Sequence, residues 1–106
     1  MNKYRYIDID KSISQVFKYR EFKEKDYIPI VILEDEEVVN LSGYEAIVYF
    51  RFSSDNVKSF QCLIIDNVVQ VPLKEEYLKK MERVLFEIVF IGKEQIVTTF
   101  KMYLDI

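Results

Sequence analysis

Three groups of residues have types and spacing that could support chemistry: an acidic run, one cysteine and the tyrosines. The acidic run, Glu34-Asp35-Glu36-Glu37, could bind a divalent cation through its carboxylates. Consecutive residues at a strand end point in alternating directions, however, and the run lacks the spaced oxygen ligands of a calcium loop. We therefore expect a solvated turn here and no metal site.

The cysteine and the tyrosines have structural interpretations that we prefer. Cys62 lies in the apolar stretch Phe60-Gln61-Cys62-Leu63-Ile64, which predicts a buried thiol of low reactivity. As the only cysteine it can form no internal disulfide. The eight tyrosines could stack on sugar rings or bases, but most lie in predicted strands, where aromatic side chains are favoured for packing.

The usual catalytic groups are missing from this sequence. It contains no histidine, which removes the commonest general base, the Ser-His and Cys-His nucleophile pairs and the common zinc ligand sets. The two glycines, Gly43 and Gly92, are isolated, so there is no glycine-rich phosphate loop. Catalysis by paired carboxylates stays open, although no spacing points to it. We expect that the chain is not an enzyme and uses no cofactor.

Composition indicates one small domain with its own core. The 106 residues (12.8 kDa) are 50% hydrophobic and 31% charged, enough to bury a core without metals or disulfides. The net charge is −3, and the basic residues of the segment 18–26 alternate with acidic ones, so we expect no nucleic-acid partner. No apolar run is long enough to span a membrane and no signal-peptide core is present, which predicts no membrane partner and synthesis in a reducing cytoplasm.

Periodicity predicts a mostly β fold. The strongest strand is 44–52, with Tyr44, Ala46, Val48, Phe50 and Phe52 on one face. Residues 1–12 are interpreted as an N-terminal arm or an edge strand, and residues 13–106 as the β domain. The other predicted strands are 13–19, 28–33 (with Pro29 at a start or an edge), 59–65, 68–71, 84–91 and 95–104, the last with Ile96, Thr98, Phe100, Met102 and Leu104 on one face.

Turn residues complete the predicted architecture. Asn40-Leu41-Ser42-Gly43 forms a turn before strand 44–52, and Asp66-Asn67 forms a two-residue hairpin because both residues tolerate positive φ. Pro72 ends a strand and starts the one credible helix, about 73–81. Seven or eight short strands with a turn roughly every ten residues are typical of an antiparallel β-sandwich.

The order of these segments resembles a known family. Residues 16–104 resemble the N-terminal domain of phage baseplate upper proteins, which also begins many phage tail-fibre proteins. The shared layout is an extended segment reaching Asp26, the apolar strand 28–33, the Asn-Leu-Ser-Gly step at 40–43, the Asp66-Asn67 hairpin and the Val-Pro-Leu-Lys step at 71–74. The resemblance implies an immunoglobulin-like β-sandwich that docks a fibre or receptor-binding protein on a phage particle.

Two departures from the family shape the functional expectation. The chain reads Met81-Glu82-Arg83 where the family usually has a glycine, and it stops at Ile106, where relatives commonly continue into a coiled coil or a host-binding region. We therefore expect a virion structural protein, an adaptor in a baseplate, tail or head-fibre attachment, that forms homo-oligomers and binds other fibre, tail or capsid proteins. The resemblance also implies synthesis in the cytoplasm of a host bacterium. The candidate assembly arm comprises Tyr4, Tyr6, Ile7 and Ile9. The alternatives are a carbohydrate- or receptor-binding module and a small phage-encoded inhibitor of a host protein.

Overall fold

The computed structural model describes residues 4–11, 15–99 and 101–106. Within them the chain forms ten β-strands, one 3-10 turn (Tyr19–Glu21) and one α-helix, α1 (Glu75–Leu78). The strands are β1 (Arg5–Asp8), β2 (Val16–Lys18), β3 (Tyr27–Glu34), β4 (Glu37–Val38), β5 (Glu45–Ser53), β6 (Asn56–Ile65), β7 (Val68–Pro72), β8 (Arg83–Ile91), β9 (Ile96–Thr98) and β10 (Met102–Asp105).

The strands form one connected sheet that curls on itself. Its order is β1-β3-β7-β6-β5-β8-β10-β2, with β4 beside β3 and β9 beside β8. Strand β6 belongs to both halves, because residues up to Cys62 pair with β5 while Leu63, Ile64 and Ile65 pair with β7. The sheet therefore bends within β6 and becomes a half-barrel.

This architecture confirms part of the predicted fold and corrects the rest. The described chain is mostly β with one short helix, as predicted. The predicted immunoglobulin-like antiparallel sandwich of seven or eight strands is corrected to a curled half-barrel of ten strands. The reason is that β6 runs unbroken through both halves, while β1 and β2 add in parallel to β3 and β10 at the two outer edges.

The core fills the inside of the curl. The predicted alternation of β5 is confirmed, because Ala46, Val48 and Phe50 are buried and both Tyr44 and Phe52 pack against the core. Full burial of Val48 and of Phe50 contributes about 1.5–3 kcal/mol each. Other inward-facing residues that are 2% exposed or less include Phe17, Ile28, Ile30, Ile32, Val69, Val71, Val84, Phe86, Ile88, Phe90, Met102 and Leu104.

The last predicted strand, 95–104, is divided and changes phase. Thr98 lies opposite Val89, but Met102 lies opposite Phe86, so the second half is displaced by one residue relative to β8. An extra residue moves every following side chain to the other face. Ile96 and Thr98 are consequently exposed while Met102 and Leu104 are buried, which corrects the expectation of one shared face. Phe100 lies outside the described residues.

The helix and the predicted strand 13–19 are shorter than expected. Helix α1 covers four residues instead of about 73–81, and the side chain of its N-cap residue, Lys74, makes no capping hydrogen bond. Leu73, just before the helix, and Leu78, its last residue, are buried, so the segment is held by packing. Of the predicted strand 13–19, β2 covers Val16–Lys18, and Ile13 lies outside the described residues.

Candidate docking surface

The N-terminal segment forms an edge strand of the sheet. Strand β1 pairs in parallel with β3, so that Tyr6 lies opposite Val31 and Ile7 opposite Ile32. Among the candidate arm residues, Ile7 is 5% exposed in the core and Ile9 packs against it, whereas Tyr4 and Tyr6 are exposed. Residues 1–3 and 12–14 lie outside the described part of the chain. Only the two tyrosines of the candidate arm therefore present large exposed side chains.

Side-chain contacts bring the two edges of the sheet together. Gln15, just before β2, donates from Nε2 to the carbonyl oxygen of Tyr6 at 3.1 Å. Arg5 Nη2 lies 2.5 Å from Glu21 Oε2, and the Arg5 guanidinium also lies over the ring of Phe22 at 5.4 Å. Both pairs join β1 to the chain around β2. The exposed ion pair adds little to the free energy of folding, so the seam depends mainly on core packing.

The carboxylate of Asp8 fixes the end of β1. Asp8 lies opposite Leu33, and its side chain is only 9% exposed. Its carboxylate accepts hydrogen bonds from the backbone N–H groups of Asp10 and Glu36, each at 3.0 Å. The hydrogen bond from Asp10 is the main cause that lowers the pKa of Asp8, against a smaller opposing effect of burial. Lys11 completes the corner with Nζ 3.1 Å from Glu36 Oε1, which raises the pKa of Lys11.

The outer surface of the β1-β3-β7-β6 half carries a continuous set of uncharged side chains. One row across the four strands is Tyr6, Val31, Val68 and Ile65, each directly opposite the next. We call the following outward-facing set the uncharged face; it comprises Tyr6, Tyr27, Pro29, Val31, Leu33, Val38, Leu63, Ile65, Val68, Gln70 and Pro72. None of these eleven residues carries a charge, and the carboxylate of Asp8 is held at its corner.

Several members of the uncharged face are strongly exposed. The exposed fractions are 51% for Tyr6, 65% for Leu63, 52% for Ile65 and 58% for Val38. By contrast, the outward-facing positions of the other half carry both signs of charge, namely Lys18, Glu45, Arg51, Arg83, Glu87 and Asp105. In a chain with 31% charged residues, a surface of uncharged side chains across four strands is a candidate interaction site.

This face was not predicted from the sequence, although a signal for it was present. The run 28–33 is apolar at every position, so both sides of that strand had to avoid charge. The even positions Ile28, Ile30 and Ile32 belong to the core, while Pro29 and Val31 lie on the other side of the strand, where both are also buried. The uninterrupted apolar run therefore indicated that both sides of this strand are apolar. It did not indicate which other strands continue the outer apolar surface.

The predicted turn motifs meet at one end of the half-barrel. Leu41 donates its backbone N–H to Asn67 Oδ1 at 2.9 Å, and Ser42 donates its own to Asn40 Oδ1 at 2.9 Å. Asp66 and Asn67 have φ values of 53° and 64°, and Gly43 has 83°, as such turns require. Pro72 lies apart from them, opposite Tyr27 at the other end of β7. These residues shape the chain, and a shallow surface hollow lies between the two turns.

The other residues considered for chemistry have structural surroundings. Asp35 and Glu36 adopt positive φ in the turn between β3 and β4. No cluster of three or more metal-binding side chains occurs among the residues that the structure describes. Cys62 is 4% exposed, and burial raises the pKa of its thiol to about 12.

A cluster of aromatic rings lies beside α1. Phe52 and Phe60 each place their ring centroid 5.9 Å from that of Tyr77. Lys58 Nζ lies 5.6 Å from the centroid of Tyr77, and Lys74 Nζ lies 5.5 Å from that of Phe60. Tyr77 and Phe60 therefore each have one ring face in an intramolecular cation–π contact.

Comparisons with solved structures identify proteins of similar fold. Within the described residues no helix is long and apolar enough to cross a membrane. No protein-family model matches the sequence, and no curated protein matches it. The fold is similar to the N-terminal domain of phage TP901-1 ORF48, with a TM-score of 0.65 and 11% sequence identity over 96% of this chain and 94% of that one. The expected relationship to phage particle domains is thus supported at the level of the fold.

Proposed function

We propose that this chain is a structural component of a phage particle that acts through protein–protein assembly. Within the particle it serves as an adaptor in a baseplate, tail or head-fibre attachment, and its partners are other virion proteins. The sequence resemblance to baseplate upper proteins and the structural similarity to a domain of a phage protein support this setting. The similarity extends over nearly the whole chain, so the proposal concerns the domain itself.

The observation that carries the proposal is the uncharged face. Large exposed apolar patches on small proteins mark surfaces that bind other proteins. Tyr6, Leu63 and Ile65 project from strands of one sheet, so a partner can contact all three at once. Tyrosine is also among the residue types that binding hot spots favour.

The proposal assigns the chain no reaction and no cofactor. Its sequence lacks histidine, and the one thiol is buried with a raised pKa, so it is protonated at neutral pH. In the acidic turn, Asp35 and Glu36 adopt positive φ, and Glu36 forms an ion pair with Lys11. Function then depends on surface complementarity, which is what an adaptor requires.

Density-gradient sedimentation tests this proposal. An epitope-tagged chain produced during growth of the phage that encodes it should band with intact particles, and gold-labelled antibody should mark one defined part of the particle. Washing at high salt should not release the chain, since an uncharged interface depends little on ionic strength. Recovery of the chain only in the unassembled fraction would contradict the proposal.

A further inference from the structure

We propose that the edge of β6 at residues 57–61, which we call the open edge, binds an extended acidic segment of another virion protein, which adds to the sheet as a further strand. The inference rests on the proposed function only for its setting, since the partner is taken to be a component of the same particle. It adds a second place of contact beside the uncharged face, the conformation of the partner and the sign of its charge. Extended peptides commonly bind by adding a strand to an exposed sheet edge.

The first half of β6 has a strand neighbour on one side only. Its residues from Asn56 to Cys62 pair with β5, whereas its pairing with β7 is limited to Leu63, Ile64 and Ile65. Within the described part of the chain no third strand borders the first half, and most of its residues are exposed, namely Asn56, Val57, Lys58, Ser59 and Gln61. The main-chain groups that point away from β5 are therefore accessible to a partner.

The alternation of hydrogen bonds along the ladders identifies these groups. Asp66 and Asn67 form a two-residue hairpin loop, so Ile65 and Val68 exchange main-chain hydrogen bonds. Because such pairs alternate along antiparallel strands, the odd-numbered residues of β6 direct their N–H and C=O groups to the side of β7, and the even-numbered ones direct theirs to β5. Among the described residues, no hydrogen bond engages these groups in the three odd-numbered residues of the open edge, Val57, Ser59 and Gln61. A row of three donors and three acceptors is thus presented to a partner.

Pro72 explains why β7 leaves this row unpaired. Gln70 lies opposite Leu63, so continuation of the same register would place Pro72 opposite Gln61. Proline has no N–H to donate to the carbonyl oxygen of Gln61, and the ladder cannot continue there. After Pro72 the chain enters α1 instead of a longer β7. A segment from another protein, with an N–H at each position, can continue the sheet where β7 stops.

Two lysines determine the charge of the partner. Lys58 lies in the open edge with Nζ 5.6 Å from the ring centroid of Tyr77, and Lys74 Nζ lies 5.5 Å from that of Phe60. Neither ammonium group forms an ion pair within the described residues, although Glu75 follows Lys74 directly. The side chains of an added strand lie about 4.5–5.5 Å from those directly opposite. Carboxylates at alternate positions of that strand therefore reach Lys58 and, beside Phe60, Lys74.

The same lysines disfavour a second copy of this edge. Pairing of residues 57–61 with themselves about a twofold axis at Ser59 places Lys58 of each copy opposite Phe60 of the other. Both lysines of each copy, Lys58 and Lys74, then lie on one side of the joined sheet, where like charges repel. Lysine on an exposed edge is a common defence against such self-pairing. The odd-numbered residues on the other side of the edge carry no charge. An extended segment with acidic and uncharged residues in alternation is the partner that fits.

Amide hydrogen exchange measured by NMR tests both the geometry and the binding. The probe is a synthetic peptide with blocked ends, Thr-Glu-Val-Glu-Val-Glu-Thr, and the control is Thr-Lys-Val-Lys-Val-Lys-Thr. In the chain alone the N–H groups of Val57, Ser59 and Gln61 should exchange rapidly, while those of Lys58 and Phe60 exchange slowly. The acidic peptide, at ten times its dissociation constant, should slow the three rapid amides about tenfold. The lysine peptide should leave them unchanged.

Proline substitution tests the main-chain contact. Ser59→Pro removes an N–H that points away from β5, so it should weaken binding of the acidic peptide at least about tenfold while the chain stays folded. Ile96→Pro is the matched control, since Ile96 is also an exposed strand residue (69%) but lies on β9. Its N–H likewise points away from β8, because Gly92 donates its N–H to the Gln95 carbonyl and the ladder alternates from there. Ile96→Pro should leave the peptide affinity unchanged.

Charge reversal tests the sign of the partner. Lys58→Glu should weaken the acidic peptide and strengthen the lysine peptide by about fivefold each, the effect expected when one exposed attraction becomes a repulsion. Lys58 is exposed, so circular dichroism of this variant should match the wild type. Isothermal titration calorimetry measures the affinities of both peptides for each variant.

Four results would overturn the inference: slow exchange of the Val57, Ser59 and Gln61 amides in the chain alone, an acidic peptide that protects them no better than the lysine peptide, unchanged peptide affinity in folded Ser59→Pro, or a wild-type dimer that Ser59→Pro abolishes. The last result would assign the edge to a second copy. If folded Ser59→Pro enters particles as well as Ile96→Pro does, the open edge is not an attachment site and the inference fails while the proposed function stands. If the wild type never enters particles, the proposed function fails whatever the peptides show.

Discussion

The backbone N–H of Leu41 and the side-chain oxygen Oδ1 of Asn67 are 2.9 Å apart and join two turns that are 26 residues apart in sequence. Leu41 is buried, and its N–H has this side-chain acceptor instead of a strand partner. Asn67 itself adopts φ 64°, which asparagine tolerates better than most residues. One side chain thus shapes the β6–β7 hairpin and fixes the start of the path into β5.

Substitution of Asn67 tests this double role. Asn67→Ala should lower the free energy of unfolding by about 2–3 kcal/mol, because it removes the acceptor of the Leu41 N–H and places alanine at positive φ. Asn67→Gly should cost about 1 kcal/mol, since glycine removes only the hydrogen bond. Chemical denaturation measures both values. Equal losses for the two variants would show that the backbone conformation contributes nothing.

Gly92 makes a close contact with the ring of Tyr44. A Cβ added at Gly92 would lie 2.7 Å from Tyr44 Cε1, too close without movement of the ring. Gly92→Ala should therefore destabilise the fold by about 1–3 kcal/mol, the usual cost of overpacking. In a Tyr44→Ala background the same change should be nearly neutral, because the ring is gone. A double-mutant cycle by thermal denaturation measures the coupling, and purely additive effects would contradict the contact.

The buried thiol of Cys62 makes stability depend on alkaline pH. Its pKa is about 12 in the folded chain, against an ordinary value of 9.0 that applies once the chain unfolds. Above pH 9.0 the unfolded state loses this proton and the folded state keeps it. The contribution to folding is therefore complete below pH 9.0 and is lost as the pH rises towards 12, by up to about 1.4 kcal/mol per pH unit.

Comparison with Cys62→Ala isolates this effect from other groups that titrate in the same range. The difference in unfolding free energy between wild type and variant should shrink as the pH rises from about 9 to about 11. At neutral pH the thiol should also react with a disulfide reagent only after denaturation. Rapid labelling of the native chain, or a difference that does not change with pH, would refute the buried environment.

Arg83 and Asp105 form a two-pronged ion pair between β8 and β10. Arg83 Nε lies 2.5 Å from Asp105 Oδ1, and Nη2 lies 3.1 Å from Oδ2. The hydrogen bond from Arg83 holds the pKa of Asp105 below its ordinary value of 3.8. The small stabilisation from this pair is therefore present above that value and is lost as the pH falls through the lowered pKa.

Carboxyl titration by NMR checks this pair. Arg83→Ala should move the pKa of Asp105 upward, towards its ordinary value. Arg83→Lys should give an intermediate shift, because lysine keeps the charge but not the forked geometry. An Asp105 pKa that is the same in all three proteins would show that the pair does not form in solution.

The parts of the fold that depend on local chemistry could be predicted from the sequence. The alternation of β5 appears because Ala46, Val48 and Phe50 face one uniform core. Asp66 and Asn67 identify their hairpin because few other residues accept positive φ. Pro29 also agrees with its expected place, since the ladder with β1 begins only at the next residue, Ile30.

The features that were missed depend on pairing between distant segments. Nothing local reveals that β1 adds in parallel to β3, or that β6 changes neighbours at Leu63. The displacement by one residue before Met102 places the side chains of the last strand on the opposite face of the sheet from the one predicted. A two-residue sequence period cannot reveal such a shift. Prediction of the uncharged face requires both the local sequence pattern and the pairing of distant strands, because the row from Tyr6 to Ile65 crosses four strands.

Competitive incorporation into phage particles tests the central claim most directly. The Ile65→Glu and Ile96→Glu variants, carrying different tags, would be co-produced with the wild-type chain during growth of the phage, and their ratio measured in purified particles. If the uncharged face holds the chain in the particle, Ile65→Glu should be depleted at least about tenfold relative to Ile96→Glu. Equal incorporation of the two folded variants would contradict the account.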